Sequence, residues 1–411
     1  MKIVQINNVY SSGSTGRITS NLHHDLIRRG HQSSVLYGRG RKSDDAQVVK
    51  VASEKAAKWN AAKARAYSLQ YAGSEFATRR IIRHLEREKP DIVHMQCLNG
   101  YFVNIYALLD WLRVKDKTCV LTLHAEFMHT GGCGHALDCD KWRLTPGCGR
   151  CPQLRDATKS FVLDRTREGW ERMENAFRGF SDQITIVSVS PWLQARAQAS
   201  PILSHLKHQT VLNGLDDDVF RRTTPAPIEM HRNADQKVLL HVTPLFDASP
   251  TSFKGGQDVV ALARQLGSRV KVVVLGDVAP GAGKQLPENV VCVGRISDAR
   301  RLAAFYTAAD ATLLTSRRET FSMVTAESLA CGTPVIGYRA GGPEQIALPD
   351  HSTFVAQGDL PALAAAVELS TQSTELEREA MSLRARDKYS NRRMTTEYLQ
   401  IYRSAMARDT K

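Results

Sequence analysis

The chain has 411 residues, 42% hydrophobic and 24% charged, and carries a formal net charge of +13. That length fits about two to three domains, and the composition is that of an ordinary soluble globular protein. No run of about 18 apolar residues occurs, which argues against a membrane-spanning segment, and no cleavable apolar leader precedes Lys2; the expected location is the cytoplasm. The positive charge is uneven. Residues 1–120 hold 20 Lys and Arg against 10 Asp and Glu, and the remainder holds 35 against 32. A field of that kind at the N-terminal end suits an anionic partner: membrane lipid, a diphosphate-linked molecule or nucleic acid.

Lys2–Asn7 reads as a short apolar strand, residues 8–17 as a loop containing Gly13 and Gly16, and Ile18–Arg29 as an amphipathic helix stopped by Gly30. Strand, glycine loop and helix form a ligand-contacting edge in many α/β proteins. Gly13-Ser14-Thr15-Gly16 is neither a dinucleotide fingerprint nor a P-loop, so a plain tight turn is an equal reading; Arg17 is the anion contact it offers. A second strand follows at Ser33–Tyr37. Residues 53–89 are helical and basic, with Lys55, Lys58, Lys63, Arg65, Arg79, Arg80 and Arg83 interleaved with Trp59, Tyr67 and Tyr71. The segment is either a surface helix pair packing its aromatic side on the core or a membrane-surface patch.

Further strands are expected from Ile92 to near Gln96 and over Cys119–Leu123, with a helix near 103–115 between them. Thr122-Leu123-His124 ends the second of these. A polar residue at the C-terminal end of a parallel strand faces the ligand cleft of an open sheet, so His124 is a site candidate, with a hydrogen-bonded core histidine as the alternative. Cys133, Cys139, Cys148 and Cys151 then fall within 23 residues at Cys-x5-Cys-x8-Cys-x2-Cys spacing. In a reducing compartment four close thiols point to tetrahedral zinc rather than disulfides; a bridged or unliganded loop is the other possibility, and His129 and His135 are substitute ligands. Four thiolates would close the site and make the zinc structural. A helix over 157–181, a strand at Ile184–Ser188 and a serine-capped helix from Pro191 lead to Asn213-Gly214-Leu215-Asp216 and a polar linker at 222–235.

The C-terminal half opens with a strand at Val238–Val242, then Lys254-Gly255-Gly256 before a helix at Asp258–Leu266. Strands at Lys271–Leu275 and Val290–Gly294 follow, the latter ending at Arg295. The densest information lies in residues 311–346. It reads as a buried strand, a loop carrying Glu319, a helix containing Glu327, a Gly-Thr-Pro turn, a second strand and a Gly341-Gly342-Pro343 turn. Thr320 or Ser322 can cap the helix, and its remaining amides and dipole favour a phosphate. Glu319 and Glu327 lie roughly 12 Å apart if helical. A retaining hydrolase pair needs about 5–5.5 Å, so the spacing favours two separate hydroxyl-holding carboxylates.

Glu319-Thr320-Phe321-Ser322-Met323-Val324-Thr325-Ala326-Glu327, with Ala330-Cys331-Gly332-Thr333-Pro334-Val335-Ile336 and Gly341-Gly342-Pro343-Glu344, resembles the signature of glycosyltransferase family 4. These are retaining enzymes that use nucleotide sugars. The resemblance implies an α/β GT-B fold, two facing Rossmann-like doubly wound domains with a cleft between them. The expected boundaries are an acceptor-side domain at 1–218 with a cysteine-rich insertion at 129–152, a nucleotide-sugar domain at 225–385, and a helix at 386–411 crossing back, where Tyr398 and Tyr402 can pack. It implies that Glu319 holds donor-sugar hydroxyls, Glu327 the ribose, and amides near Phe321–Val324 the diphosphate. The loop with Gly13, Gly16 and Arg17 would approach donor phosphate and acceptor, His124 would act near the anomeric centre, and Lys254 would grip the diphosphate. The family's Gly-Arg after the first strand of the second domain is replaced by Thr243-Pro244; Arg295 is the candidate substitute.

The cysteine stretch resembles a subset of the family, the colanic-acid and exopolysaccharide transferases. The expected activity is retaining transfer of a hexose from a UDP- or GDP-sugar to a polyprenyl-diphosphate-linked glycan at the membrane surface, with no catalytic metal and no nucleic-acid partner. Two rivals stand beside it: a nucleotide-sugar epimerase or hydrolase on the same fold, and a zinc-containing nucleic-acid-binding protein.

Overall fold

The computed structural model of the chain describes residues 1–160, 163–370 and 373–407. Residues 161–162 of the expected 157–181 helix, and residues 408–411 of the expected C-terminal helix, lie outside the described residues. The chain divides into two compact units: Met1–Gly214 with Met394–Lys411, and Leu215–Arg393.

The first unit is built on seven parallel strands: β1 (Lys2–Val9), β2 (Gln32–Arg39), β3 (Val48–Lys50), β4 (Ile92–Met95), β5 (Cys119–Leu123), β6 (Ile184–Ser188) and β7 (Lys207–Thr210), in the order β3-β2-β1-β4-β5-β6-β7. Strands covered on both faces read as unbroken apolar runs: Ile3, Val4 and Ile6, then Val120 and Leu121, then Ile184, Ile186 and Val187, are fully buried. The order reverses at β1, which lies between β2 and β4. That reversal is where open α/β sheets leave a crevice at the strand C-termini. The helix expected to begin at Ile18 starts at Gly13 and runs to Arg28. The glycine tetrad is therefore its first turn. A Cβ on Gly16 would lie 3.1 Å from Val9 Cγ2, so glycine lets the helix press onto the end of β1.

The second unit has six parallel strands, β8 (Lys237–Phe246), β9 (Val270–Val278), β10 (Val290–Gly294), β11 (Ala311–Leu314), β12 (Val335–Tyr338) and β13 (Ser352–Val355), in the order β10-β9-β8-β11-β12-β13. Its core joins Leu239, Val272, Val274, Leu313 and Ile336 of the sheet to Val259, Leu262, Ala263 and Leu363 of two helices. β8 outruns the expected Val242 end. Its register shifts between Val242 and Leu245, where Pro244 has no amide to give the ladder. The helix expected at 157–181 is confined to Thr166–Phe177.

The basic segment forms two helices, Glu54–Tyr67 and Glu75–Glu88. Its aromatic side does not pack on the core as one of the two readings required: Trp59, Tyr67 and Phe76 are 63, 61 and 84% exposed, and only Tyr71 is buried. Among the described residues, no helix is long and apolar enough to cross a membrane. The last helix, Asn391–Met406, lays Tyr398 and Tyr402 against the first unit. The Tyr398 hydroxyl meets Thr122 Oγ1 at 2.9 Å, and Tyr402 meets His94 Nδ1 at 2.7 Å.

Candidate active site

In the second unit the sheet order reverses at β8, between β9 and β11, and the loops leaving β8 and β11 carry the signature residues. Thr315, just after β11, is fully buried and donates to the Lys254 carbonyl at 3.0 Å. Gly255 makes that approach possible. Its φ is +68°, and a Cβ there would fall 2.1 Å from the Thr315 carbonyl oxygen. The result is a contact between two sequence-distant candidates: Lys254 Nζ sits 2.5 Å from Glu319 Oε1 in a partly buried ion pair.

Glu319 is fixed through its backbone. Its amide donates to the Ala340 carbonyl at 2.9 Å, and its carbonyl accepts from Gly342 N at 2.9 Å. A Cβ on Gly342 would stand 2.4 Å from the Thr320 oxygen, so the two glycine turns are what hold the acidic loop against the sheet. Glu344 completes this clamp by accepting from the amides of Ala340 and Gly341. Phe321 is buried, and so are Thr320 and Ser322. Ser322 caps the helix Met323–Ala330, its hydroxyl accepting from Thr325 N at 3.2 Å. Its φ of +75° is a left-handed conformation that a non-glycine residue holds only when its surroundings impose it. Met323 and Val324, the first helical residues, are half-buried.

Glu327 is 3% exposed, and its Oε2 accepts from the Tyr306 hydroxyl at 3.0 Å. Tyr306 was not anticipated as part of the site; it lies on the buried face of the helix Ala299–Ala308, where an aromatic residue gave no local signal. Arg295 is not gathered with Lys254 and Glu319 by any direct bond. It pairs with Asp277, Nη2 to Oδ2 at 2.5 Å, and its guanidinium reaches the Pro244 carbonyl at 3.5 Å. It thus lies beside the Thr243-Pro244 step that replaces the family's arginine.

In the first unit, His124 follows β5 directly, and burial pushes its pKa down to about 4. Its neighbour His94 is pushed down to about 3 by burial and by His124. His94 bridges Thr122 and Tyr402, with Nε2 to Thr122 Oγ1 at 2.8 Å. Both imidazoles are neutral at physiological pH. Gly13 and Arg17 lie exposed in the first turn of the Gly13–Arg28 helix, and Gly16 is buried beneath them.

The four cysteines line one small cavity of about 20 Å³. Even so, among the described residues no three Cys, His, Asp or Glu side chains are arranged to hold a metal ion. The thiols have other partners. Cys133 and Cys151 share a hydrogen bond that raises the first and lowers the second to about 7. Cys148 donates to the Thr130 carbonyl at 3.3 Å, and burial pushes it up to about 12. The expected zinc centre therefore finds no support among the described residues. His129, a proposed substitute ligand, faces Glu126 at 3.6 Å. Packing holds the loop instead. Trp142 Nε1 donates to Cys139 O at 2.8 Å, Trp170 Nε1 to Trp142 O at 3.0 Å, and Glu126 takes Arg196 Nε at 2.5 Å and Ala136 N at 2.9 Å.

Two parallel sheets of the same reversed order, the second carrying a carboxylate, an ammonium and a capped helix at its reversal point, define a glycosyltransferase of the GT-B type. The chain matches the description "Glycosyltransferase Family 4" over residues 15–218 and "Glycosyl transferases group 1" over residues 250–371, and it belongs to that family. It is 23% identical over 425 residues to a protein of Escherichia coli (strain K12) described as a colanic acid biosynthesis glycosyl transferase, WcaC, covering 98% of this chain and all of that one. Among solved structures it resembles sucrose-phosphate synthase from Thermosynechococcus elongatus, with TM-score 0.69 and 17% identity over 99% of this chain and 100% of that chain. It also resembles HepE of Anabaena in complex with UDP-glucose, with TM-score 0.63 and 15% identity over 98% and 100%. At those identities the structural likeness is one of fold.

Proposed function

We propose that the protein transfers a hexose, with retention of anomeric configuration, from a UDP- or GDP-sugar to a polyprenyl-diphosphate-linked glycan of an exopolysaccharide, at the inner face of the cytoplasmic membrane. The observation that carries the proposal is the Lys254–Glu319 pair at the reversal point of the second sheet. In the ligand-free protein each neutralises the other. A donor diphosphate would draw the ammonium to itself and release the carboxylate to accept from sugar hydroxyls, so both halves of the donor are recognised by one exchange of partners.

Negative charge grows on the leaving diphosphate in the transition state. Lys254, the amides of Phe321–Val324 and Arg295 beside Pro244 are assigned to stabilise it. Glu327 is assigned to the ribose, oriented by Tyr306. His124 is assigned to the anomeric end of the sugar, and the Gly13–Arg17 turn to phosphate and acceptor, both on the family resemblance. The second unit is then the donor domain and the first the acceptor domain. The binding of UDP-glucose by HepE supports a nucleotide-sugar donor, and the full-length match to WcaC supports a colanic-acid-type acceptor.

The test is a thermal-shift screen with UDP, GDP and their hexoses. One nucleotide series should raise the melting temperature, and Glu327→Ala should abolish the rise; a variant that keeps it in full removes the ribose assignment. Incubation of the donor without acceptor separates transfer from the epimerase or hydrolase reading, since only those consume the donor alone.

A further inference from the structure

We propose that the outward face of the helices Glu54–Tyr67 and Glu75–Glu88 docks the protein onto an anionic phospholipid bilayer. The first helix buries only Ala57 and Ala64, seven residues apart on one narrow stripe. At 100° per residue, Lys55 and Trp59 lie opposite that stripe, and the next four-residue steps, Lys63 and Tyr67, drift round toward its flank, Tyr67 to about 70° from it. Trp59 and Tyr67 are both more than half exposed, Phe76 of the second helix is 84% exposed, and all three border one cavity of about 800 Å³ that also takes in Lys63 and Arg80. The Lys63 ammonium lies 5.3 Å from the Trp59 ring centroid, so cation and aromatic are presented together.

Charge selects the occupant. Residues 53–89 hold nine Lys and Arg against four Asp and Glu. Two of those acids are turned to cations outside the helix pair: Glu54 to Arg39 and Lys50, and Glu88 to Lys2. Lys55, Lys58, Lys63 and Arg65 are all exposed. Protein–protein interfaces are depleted of lysine. Lysine beside exposed Trp, Tyr and Phe is the pattern of a helix lying in a bilayer interface, with rings at the headgroup level and ammonium groups on anionic lipid.

The surface deepens the membrane-side part of the proposed function, but its test needs neither donor nor acceptor, so sugar transfer stands if docking fails. The full-length protein is sedimented with vesicles of phosphatidylglycerol and phosphatidylcholine, and with phosphatidylcholine alone. Binding is expected only to the anionic vesicles. The triple variant Lys55→Gln/Lys58→Gln/Lys63→Gln should bind about a hundredfold more weakly, at about 1 kcal/mol per lysine near the surface. Trp59→Ser/Phe76→Ser should lose binding without a change in melting temperature, because both rings are exposed, and the shift with nucleotide sugar should persist in every variant. Four results would overturn the proposal: equal binding to neutral vesicles, no binding at all, binding only when a polyprenyl diphosphate is added to the vesicles, or a dimer in solution that Trp59→Ser dissociates.

Discussion

Lys254 and Glu319 are 65 positions apart, yet each is the other's nearest charge. Lys254→Met should weaken binding of the preferred nucleotide sugar by roughly 1.5–3 kcal/mol, the range for a hydrogen bond to a charged group, or about ten- to a hundredfold in Kd by calorimetry. Stability should change much less, since the pair is partly solvated and such pairs contribute little. A loss confined to stability would mean that the pair is structural. Tyr306→Phe tests the buried end of the site. It removes the hydroxyl that Glu327 accepts and leaves a nearly inaccessible carboxylate oxygen short of a donor. The expected cost is about 1–3 kcal/mol in chemical denaturation. A smaller shift on donor addition should accompany it if Glu327 then loses its orientation toward the ribose.

At the level of elements, the signature works because two glycine turns let loops approach closer than a side chain permits. Gly342→Ala would drive a methyl to 2.4 Å from the Thr320 carbonyl oxygen and 2.8 Å from the Phe321 amide nitrogen, both backbone atoms of the acidic loop. The displaced loop is the one that carries Glu319. The variant should fold with a penalty of about 1–3 kcal/mol, the usual scale of local strain, and should lose the nucleotide-sugar shift. An unchanged shift would show that the acidic loop does not need its contact with the Gly341-Gly342 turn. The cysteine loop is the contrasting element. Its spacing suggested a metal, yet two buried tryptophans and the Glu126–Arg196 pair supply the order a metal would have imposed.

Across the molecule, the two units differ in what reports on them but share one response to acid. All five tryptophans, Trp59, Trp111, Trp142, Trp170 and Trp192, belong to the first unit, so tryptophan emission follows that unit alone. If the donor binds the second unit, nucleotide sugar should move the thermal transition seen by far-ultraviolet circular dichroism more than the one seen by tryptophan emission. Equal movement would assign donor contacts to both. Buried neutral histidines set the acid response. His94 and His124 of the first unit are held at about 3 and about 4 by burial, below the ordinary histidine value of about 6.5. Between those limits the unfolded chain binds protons that the folded one refuses. Their contribution is therefore full above about pH 6.5 and is lost as pH falls toward 3, at up to about 1.4 kcal/mol per unit for each group. His241 of the second unit, at about 4, acts in the same direction. Emission-monitored unfolding between pH 7 and 4 should show stability falling with pH; a flat profile would mean that the buried imidazoles are protonated in the folded state.

What the sequence by itself determined was the two-domain architecture, implied by the resemblance of the Glu319–Glu344 signature to glycosyltransferase family 4, and the signature helix, because its cap and glycine turns are local chemistry; the central strands showed as short apolar stretches such as Val272–Leu275. Edge strands such as Val48–Lys50 and Lys207–Thr210, short and half-polar, gave no such trace. Only the tertiary structure decided that Lys254 meets Glu319, that Tyr306 holds Glu327, that Trp59, Tyr67 and Phe76 face outward, and that Cys133 meets Cys151 while Cys148 turns to the Thr130 carbonyl. Each of these depends on which side chains the sheet order brings within a few ångströms, and spacing along the chain does not encode distance across a sheet.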